Sequence, residues 1–334
     1  MRAYEIVGDG GIDALALNRR ETPRPGHRQI LVRVRASSIN YRDLSTIENP
    51  AARALAYPRV PNSDGAGEVI ATGEGVTRFA PGDRVAGCFF QSWSDGPINA
   101  AAMASAMGGA IDGMLAEEVL LNEDAAVRLP GHLSFEEGAT LPCAAVTAWN
   151  CLVEQGGLTA GRTVLLLGTG GVSIFGLQIA RMLGARSIVT SSSDAKLERA
   201  AGLGADATIN YLETPDWQAR VLEITDGRGV DVTLETGGGG TLQKSIECTR
   251  IGGTISLVGV LTGGQVNPTP IMQKSIRLQG VYVGSRRMFE DLNAAIAHNG
   301  MRPVIDRQFE FEDARGAYHA MRAADHLGKL VVSL

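Results

Sequence analysis

Gly168, Gly170 and Ser173 fall at the spacing G-x-G-x-x-S within VLLLGTGGVSIFGLQIARMLGA, residues 164–185. Glycines placed in this way let a chain turn sharply and bring its backbone N–H groups against a phosphate. The flanks supply the rest of such a site. Val164–Leu167 is a run of apolar residues with glycine at its exit, which reads as a short buried strand. Val172, Phe175, Ile179 and Leu183 then recur at intervals of three and four, which predicts a helix with one apolar face. Gly171 and Val172 open that helix. Its first N–H groups have no intrahelical partners, and the helix dipole favours negative charge there. Serine in the third place is small enough to keep helix and strand close. Taken alone, the pattern also fits an ordinary glycine-rich turn, so its context decides.

That context begins with bulk properties. A chain of 334 residues is long for one core and comfortable for two domains. Hydrophobic residues at 44% and charged residues at 20% describe a globular protein rather than a disordered one. A net charge of −5 argues against general nucleic-acid binding. Met1–Asp9 lacks the basic start and apolar core of a signal peptide, and no apolar run approaches a membrane span. Cys88, Cys143, Cys151 and Cys248 are scattered without CxxC pairing, which suits a reducing compartment. The expectation is a cytoplasmic protein acting on a small molecule, without nucleic-acid or membrane partners.

Two textures follow one another along the chain. Up to about residue 130, short strands alternate with Gly/Pro turns: Gln29–Ala36, Gly67–Thr72, Asp83–Ala86 and Leu115–Leu121. This is barrel-like, all-β texture. Gln91–Gly113, rich in alanine and methionine, reads as a long, partly helical loop. From about residue 160 strands and helices alternate. Strands are expected at Val164–Leu167, Ser187–Thr190, Ala207–Ile209, Val230–Leu234, Thr254–Val258 and Leu278–Val283. Helices are expected at Lys196–Leu203, Trp217–Thr225 and Leu242–Arg250. Such alternation implies a doubly wound parallel sheet, and the glycine turn follows its first strand, where dinucleotides bind. The tail adds a strand at Val304–Phe309, a helix from Asp313 and a final strand in KLVVSL.

This order, with VRASSINYRDL (34–44), PNSDGAGEVIATG (61–73), PGDRV (81–85), LPCAAVTAWNCL (141–152), GADATINY (204–211) and GKLVVS (328–333), resembles the medium-chain dehydrogenase/reductase superfamily. The nearest likeness is to its zinc-lacking, quinone-oxidoreductase-like branch, whose chains often carry the label zinc-type alcohol dehydrogenase-like. The resemblance implies a GroES-like β-barrel catalytic domain over residues 1–144 and 284–334. It implies a Rossmann nucleotide-binding domain over residues 145–283. Zinc-using members place Cys, then His-Glu, then Cys or His at three motif positions, which here hold Asn40, Ser63-Asp64 and Cys143. Zinc takes its protein ligands from Cys, His and carboxylate, and asparagine and serine replace them poorly. Gln91–Gly113 also lacks the cysteines of a structural zinc lobe. No metal is expected, and Cys143 reads as a small buried hydrophobe at the head of a helix.

In the nucleotide fold, an acid at the end of the second strand binds the ribose 2′-OH and selects NAD. Here that position falls at or near Ser191, followed by Ser192, and Lys196 can bring a positive charge to a 2′-phosphate. Tyr211 matches a tyrosine of NADP(H)-using relatives. NADP(H) is therefore the expected cofactor. The structural alternatives are that Ser193 or Asp194 caps the next helix, Lys196 is solvated and Tyr211 packs at a strand end. By resemblance, Thr147 lies against the nicotinamide, and the loop Leu257–Val260, with Val258, Gly259 and Val260, holds the carboxamide. Val283 joins the cofactor contacts, Lys329 lies near the pyrophosphate, and Gly237–Gly240 turns beneath the adenosine half.

Without zinc to ionise an alcohol, the easier hydride acceptor is a carbon already polarised by conjugation, as in a quinone or an α,β-unsaturated carbonyl. Its developing oxyanion needs only placed donors, then a proton. The resemblance puts Asn40 and Tyr41 in that role, with the proton arriving from Tyr41 or from water; the alternative is that Asn40 only satisfies backbone groups in a turn. Asp43 and Asp64 read as hydrogen-bonding supports, and Trp93, Met103 and Met107 as one wall of an apolar pocket. The resulting expectation is an NADPH-dependent quinone or enone reductase. An alcohol or carbonyl dehydrogenase and a non-catalytic NADPH-binding protein are the alternatives. Relatives pair the edge strands of their nucleotide domains, here near Leu278–Val283, which implies a homodimer.

Overall fold

The computed structural model describes residues 1–334 and divides them into two compact units, Met1–Val146 with Gly284–Leu334, and Thr147–Val283. In the first unit, β1 (Arg2–Ile6) and β2 (Leu15–Arg19) form an antiparallel hairpin that the sequence reading missed. Then come β3 (Gln29–Ile39), α1 (Tyr41–Glu48), β4 (Asp64–Thr72), β5 (Arg84–Gly87), β6 (Glu118–Asn122) and β7 (Ala126–Arg128). β3 is the spine: Ile30, Val32 and Val34 point into the core while Arg33 faces water. It pairs antiparallel with both β4 and β6, and register shifts at Leu31/Val32 and Val34/Ala36 bend it.

The second unit is a parallel sheet. Its strands are β8 (Thr163–Leu167), β9 (Arg186–Ser191), β10 (Ala207–Asn210), β11 (Val230–Glu235), β12 (Thr249–Leu257) and β13 (Arg277–Gly280). The connecting helices are α2 (Gly171–Met182), α3 (Asp194–Gly202), α4 (Trp217–Ile224) and α5 (Gly239–Cys248). The order β10-β9-β8-β11-β12-β13 reverses direction between β8 and β11. Loops leaving the carboxyl ends of those two strands flank the switch point, where ligands of such sheets bind. β8 is buried throughout, as its unbroken apolar run requires.

From Gly284 the chain belongs to the first unit again, with α6 (Arg286–Asn299), β14 (Ile305–Glu310), α7 (Ala314–Ala323) and β15 (Lys329–Ser333). β15 lies antiparallel to β3, giving the order β14-β15-β3-β4-β5-β7 with β6 also on β3. Ile39, Leu44, Phe311 and Tyr318 anchor one core of this unit, and Val32, Val85, Met107 and Met114 another.

Two expectations change. The last strand of the parallel sheet ends at Gly280, short of Val283, because Val283 adopts a left-handed φ of 57° that no strand accommodates. Gln91–Gly113 is a loop with one short helix, Ala100–Met103, in keeping with its sequence. Within that loop Trp93 and Met107 are buried, Met107 in the core beside Val60, so only Met103 is free to line a surface. No helix is long and apolar enough to cross a membrane.

Candidate functional site

Register brings the first cluster together. β15 pairs with β3 so that Leu330 faces Ile39, which sets Lys329 beside Asn40, the residue preceding α1. Lys329 is 3% exposed, and its Nζ donates to the Asn40 side-chain Oδ1 at 2.5 Å and to the Ile39 carbonyl at 2.8 Å. From Asn40 the bonds run on in a string. Its Nδ2 donates to Ser63 Oγ at 3.4 Å, and Ser63 Oγ donates to Asp64 Oδ1 at 2.7 Å. The other oxygen of Asp64 accepts the Cys143 backbone N–H at 3.1 Å. Asp43 braces the string from below, accepting the backbone N–H groups of Asn40 at 2.9 Å and Ser63 at 3.2 Å, with Arg42 at 3.1 Å.

All four positions that the resemblance singled out for metal ligation thus lie in this one string, and Lys329 joins them. The resemblance implied a pyrophosphate contact for Lys329. Here its ammonium is turned inward, bonded to Asn40 and Ile39. Burial pushes the Asp64 carboxyl up to about 6 against the opposing charge of Lys329 and hydrogen bonds from Ser63 and Asn40. Cys143, expected as a buried hydrophobe, is only partly buried as a residue; burial of its thiol, then the Asp64 charge, raises that thiol well above its ordinary value. Lys329 itself is lowered by burial, with Asp64 the first of the charges opposing that shift. Tyr41, the first residue of α1, is 51% exposed and lies outside the string.

The second cluster belongs to the parallel sheet. Gly168 turns the chain out of β8 at φ 75°, a conformation that suits glycine, and a Cβ there would touch nothing. Gly170 precedes α2 without any side-chain cap, so the first-turn N–H groups of Gly171 and Val172 are not taken up by one. Ser173 is buried and its Oγ donates to the Leu167 carbonyl at 2.6 Å, pinning helix to strand. A second close approach falls on Gly176, where a Cβ would stand 2.8 Å from Leu166 Cδ2.

At the next strand ends, Ser191 pairs in register with Asn210, and the Ser191 carbonyl accepts from Tyr211 N at 3.0 Å. Ser191 is buried, whereas Ser192 and Tyr211 are exposed and Lys196 partly so. Ser193 caps α3 by accepting from Lys196 N at 3.4 Å, and Asp194 accepts from Asn210 Nδ2 at 2.8 Å. The Asp194 carboxylate is therefore already engaged with Asn210.

Glu235, which the sequence reading did not single out, organises the loops past the switch point. Its Oε1 accepts from Gly237 N at 2.8 Å, Gly238 N at 3.0 Å and Thr241 Oγ1 at 2.6 Å, and its Oε2 accepts from Ser245. Its backbone carbonyl takes the N–H groups of Val258 and Gly259, both at 2.9 Å. Those two N–H groups are therefore spent, and Val260, 82% exposed, begins the open part of the loop. The readable signal was an acid closing a buried strand just before a run of glycines. Thr147 is buried, and the strained Val283 has its carbonyl held by Asn150 Nδ2 at 2.7 Å. A β-branched residue at positive φ is uncommon, and such strain concentrates at functional sites.

Comparison with known proteins bears on both clusters. Residues 26–131 match the alcohol dehydrogenase GroES-like domain family, and residues 171–298 match the zinc-binding dehydrogenase family. A zinc-type alcohol dehydrogenase-like protein of Schizosaccharomyces pombe is 42% identical over 97% of this chain and 96% of its own. A quinone oxidoreductase of Pseudomonas aeruginosa is 30% identical over 99% of both chains. Among solved structures, a chain described as an NAD-dependent alcohol dehydrogenase superposes with a TM-score of 0.91 at 30% identity, covering 100% of both. A mycobacterial protein complexed with NADPH superposes at 0.83 with 25% identity over 100% of both chains. With both family profiles in place along one chain and a 42% identical relative spanning nearly all of it, the protein belongs to the medium-chain dehydrogenase/reductase superfamily of oxidoreductases, in its zinc-type alcohol dehydrogenase-like branch.

Proposed function

We propose that the protein is an NADPH-dependent, zinc-independent oxidoreductase acting on a quinone or another α,β-unsaturated carbonyl. The observation that carries this reading is the string Lys329–Asn40–Ser63–Asp64. Zinc wants deprotonated thiolate and free lone pairs. Here the Cys143 thiol is pushed up by burial, the Asn40 oxygen already accepts from Lys329, and an ammonium occupies the neighbourhood. These residues do not fit zinc. Chemistry that relies on a Lewis acid to ionise an alcohol is thereby disfavoured, and reduction of a carbon activated by conjugation is favoured.

The second unit supports a nicotinamide dinucleotide. The uncapped N-terminus of α2 after Gly168 suits a pyrophosphate, and the end of β9 offers Ser191, Ser192 and Lys196 without an acid turned to the ribose. Tyr211 stands on the next strand end, and Thr147, Val258, Gly259, Val260 and Val283 complete the proposed contacts. Bound NADPH supplies the hydride. The chain's own share is to hold the acceptor's oxygen with the Asn40 amide as charge grows on it, and to deliver a proton from Tyr41 or from water reaching that exposed side chain. The edge strand β13, with Leu278 exposed on it and Tyr282 exposed just past its end, is the proposed homodimer seam.

The test is NADPH oxidation against a panel of quinones and enones and a second panel of aldehydes, before and after chelation. Turnover of the first panel, unchanged by chelator, is the expected outcome. One equivalent of tightly held zinc whose removal abolishes turnover would overturn the reading.

A further inference from the structure

We propose that Lys329 is a positioning residue for the reaction, a built-in cation that stands where a metal would and fixes which face of the Asn40 amide is presented. The inference rests on the reading of Asn40 as the group that holds the acceptor's oxygen. An amide can turn end for end, exchanging its oxygen for its NH2 group, at little cost unless a neighbour forbids it. Lys329 forbids it. Its Nζ is purely a donor, it is buried, and its two recorded partners are both oxygens, Asn40 Oδ1 at 2.5 Å and the Ile39 carbonyl at 2.8 Å. Turning the amide would set two donors against each other in a buried interior, and Lys329 would keep only the Ile39 carbonyl.

The Asn40 NH2 group must therefore face the other way, toward Ser63. Its contact there is long, 3.4 Å, against 2.7 Å for the next bond in the string. A hydrogen bond of that length is weak, so this donor retains capacity for a stronger acceptor. A buried positive group on the carbonyl side also polarises the amide and sharpens its N–H as a donor. Asp64, at the far end, balances the charge of Lys329 inside the protein. The same ammonium thus replaces a metal's charge and sets the direction of a neutral donor.

The test separates this role from a contact with cofactor phosphate. In Lys329→Met, kcat for the best quinone or enone should fall about a hundredfold while the Kd for NADPH, read by fluorescence, stays within twofold. Methylammonium or ethylammonium should restore part of the rate to Lys329→Ala in a saturable manner. A weakened NADPH Kd with kcat unchanged at saturating cofactor would overturn the proposal and return Lys329 to the pyrophosphate. Unfolding in urea gives a readout that needs no turnover. Lys329→Met, Asn40→Leu and the double variant should be strongly non-additive, the double losing little more than the worse single variant. Additive losses would overturn the proposal. Should the wild-type chain reduce no quinone or enone, the functional reading fails, while the cofactor Kd and the urea cycle still decide whether Lys329 serves Asn40.

Discussion

Asn40, Ser63, Asp64 and Lys329 are bonded in a string, and all four are buried. The turn after β8 is the opposite case: Gly170 leads into α2 with no side-chain cap. Both regions are polar and both surround glycine-rich or buried backbone. The first keeps spare capacity only in the long Asn40–Ser63 contact, and the second, in the proposed reading, is completed by an anion. That contrast divides the labour of the protein. A closed polar string carries the desolvation cost of a buried ammonium and carboxylate, and it holds one donor in one direction, which is what a developing oxyanion requires. An open helix terminus waits for a charged group, which is what a dinucleotide brings.

The largest expected effect comes from opening the closed region. Asn40→Ala removes the donor and leaves Lys329 with fewer oxygen partners. Loss of a hydrogen bond to a developing oxyanion typically costs about 3 kcal/mol, or roughly a hundredfold in kcat. NADPH affinity should stay unchanged, since Asn40 lies in the first unit and makes no phosphate contact in the proposed scheme. A loss carried by KM for NADPH instead would erase the distinction between the two regions.

Gly168→Val strikes the open region. It forces a β-branched residue to φ 75°, at a cost of about 1–3 kcal/mol. No atom crowds that Cβ, so the penalty is conformational and should be relieved by distorting the turn. NADPH affinity should fall by roughly tenfold or more, with kcat recovered at saturating cofactor. Titration of cofactor fluorescence measures the first and steady-state rates the second. Unaltered affinity would mean that the turn does not bear the pyrophosphate.

A smaller and more selective effect is expected at the end of β9. Lys196→Ala should weaken NADPH by about tenfold, near 1.4 kcal/mol, and leave NADH almost untouched. Equal loss for both cofactors would show that Lys196 does not read the 2′-phosphate.

The two regions also differ in how far the sequence revealed them. The parallel sheet was legible because its signals are local: the apolar run of β8, the glycines after it and the periodic helix all lie within residues 164–185. There, Ser173 holds helix to strand through its bond to Leu167, and Gly176, three residues along, adds a second close approach that the motif did not name. The closed string was legible only in part. Asn40, Ser63, Asp64 and Cys143 could be aligned with motif positions, but Lys329 and Asn40 lie 289 residues apart and meet through the pairing of β15 with β3. A lysine before a final strand looks solvated in sequence, and only strand register turns it inward. Glu235 was missed for a related reason, since its worth depends on three loops converging on one carboxylate.

The smallest expected effect is at Tyr41, and it tests whether the closed region ends at Asn40. Tyr41 follows Asn40 directly, yet it is half exposed and shares none of the string's hydrogen bonds. A phenol so placed can hand a proton to the product, but water reaches the same surface and can replace it. Tyr41→Phe should therefore lower kcat only a few-fold and leave NADPH affinity unchanged. Single-turnover hydride transfer, followed by NADPH absorbance, should be unaffected, because the proton arrives after charge has built up against Asn40. A hundredfold loss in that single-turnover rate would instead place the phenol on the oxyanion itself. Tyr41 would then have to swing toward Asn40 when substrate binds, and the string would be the resting half of a donor pair that substrate completes.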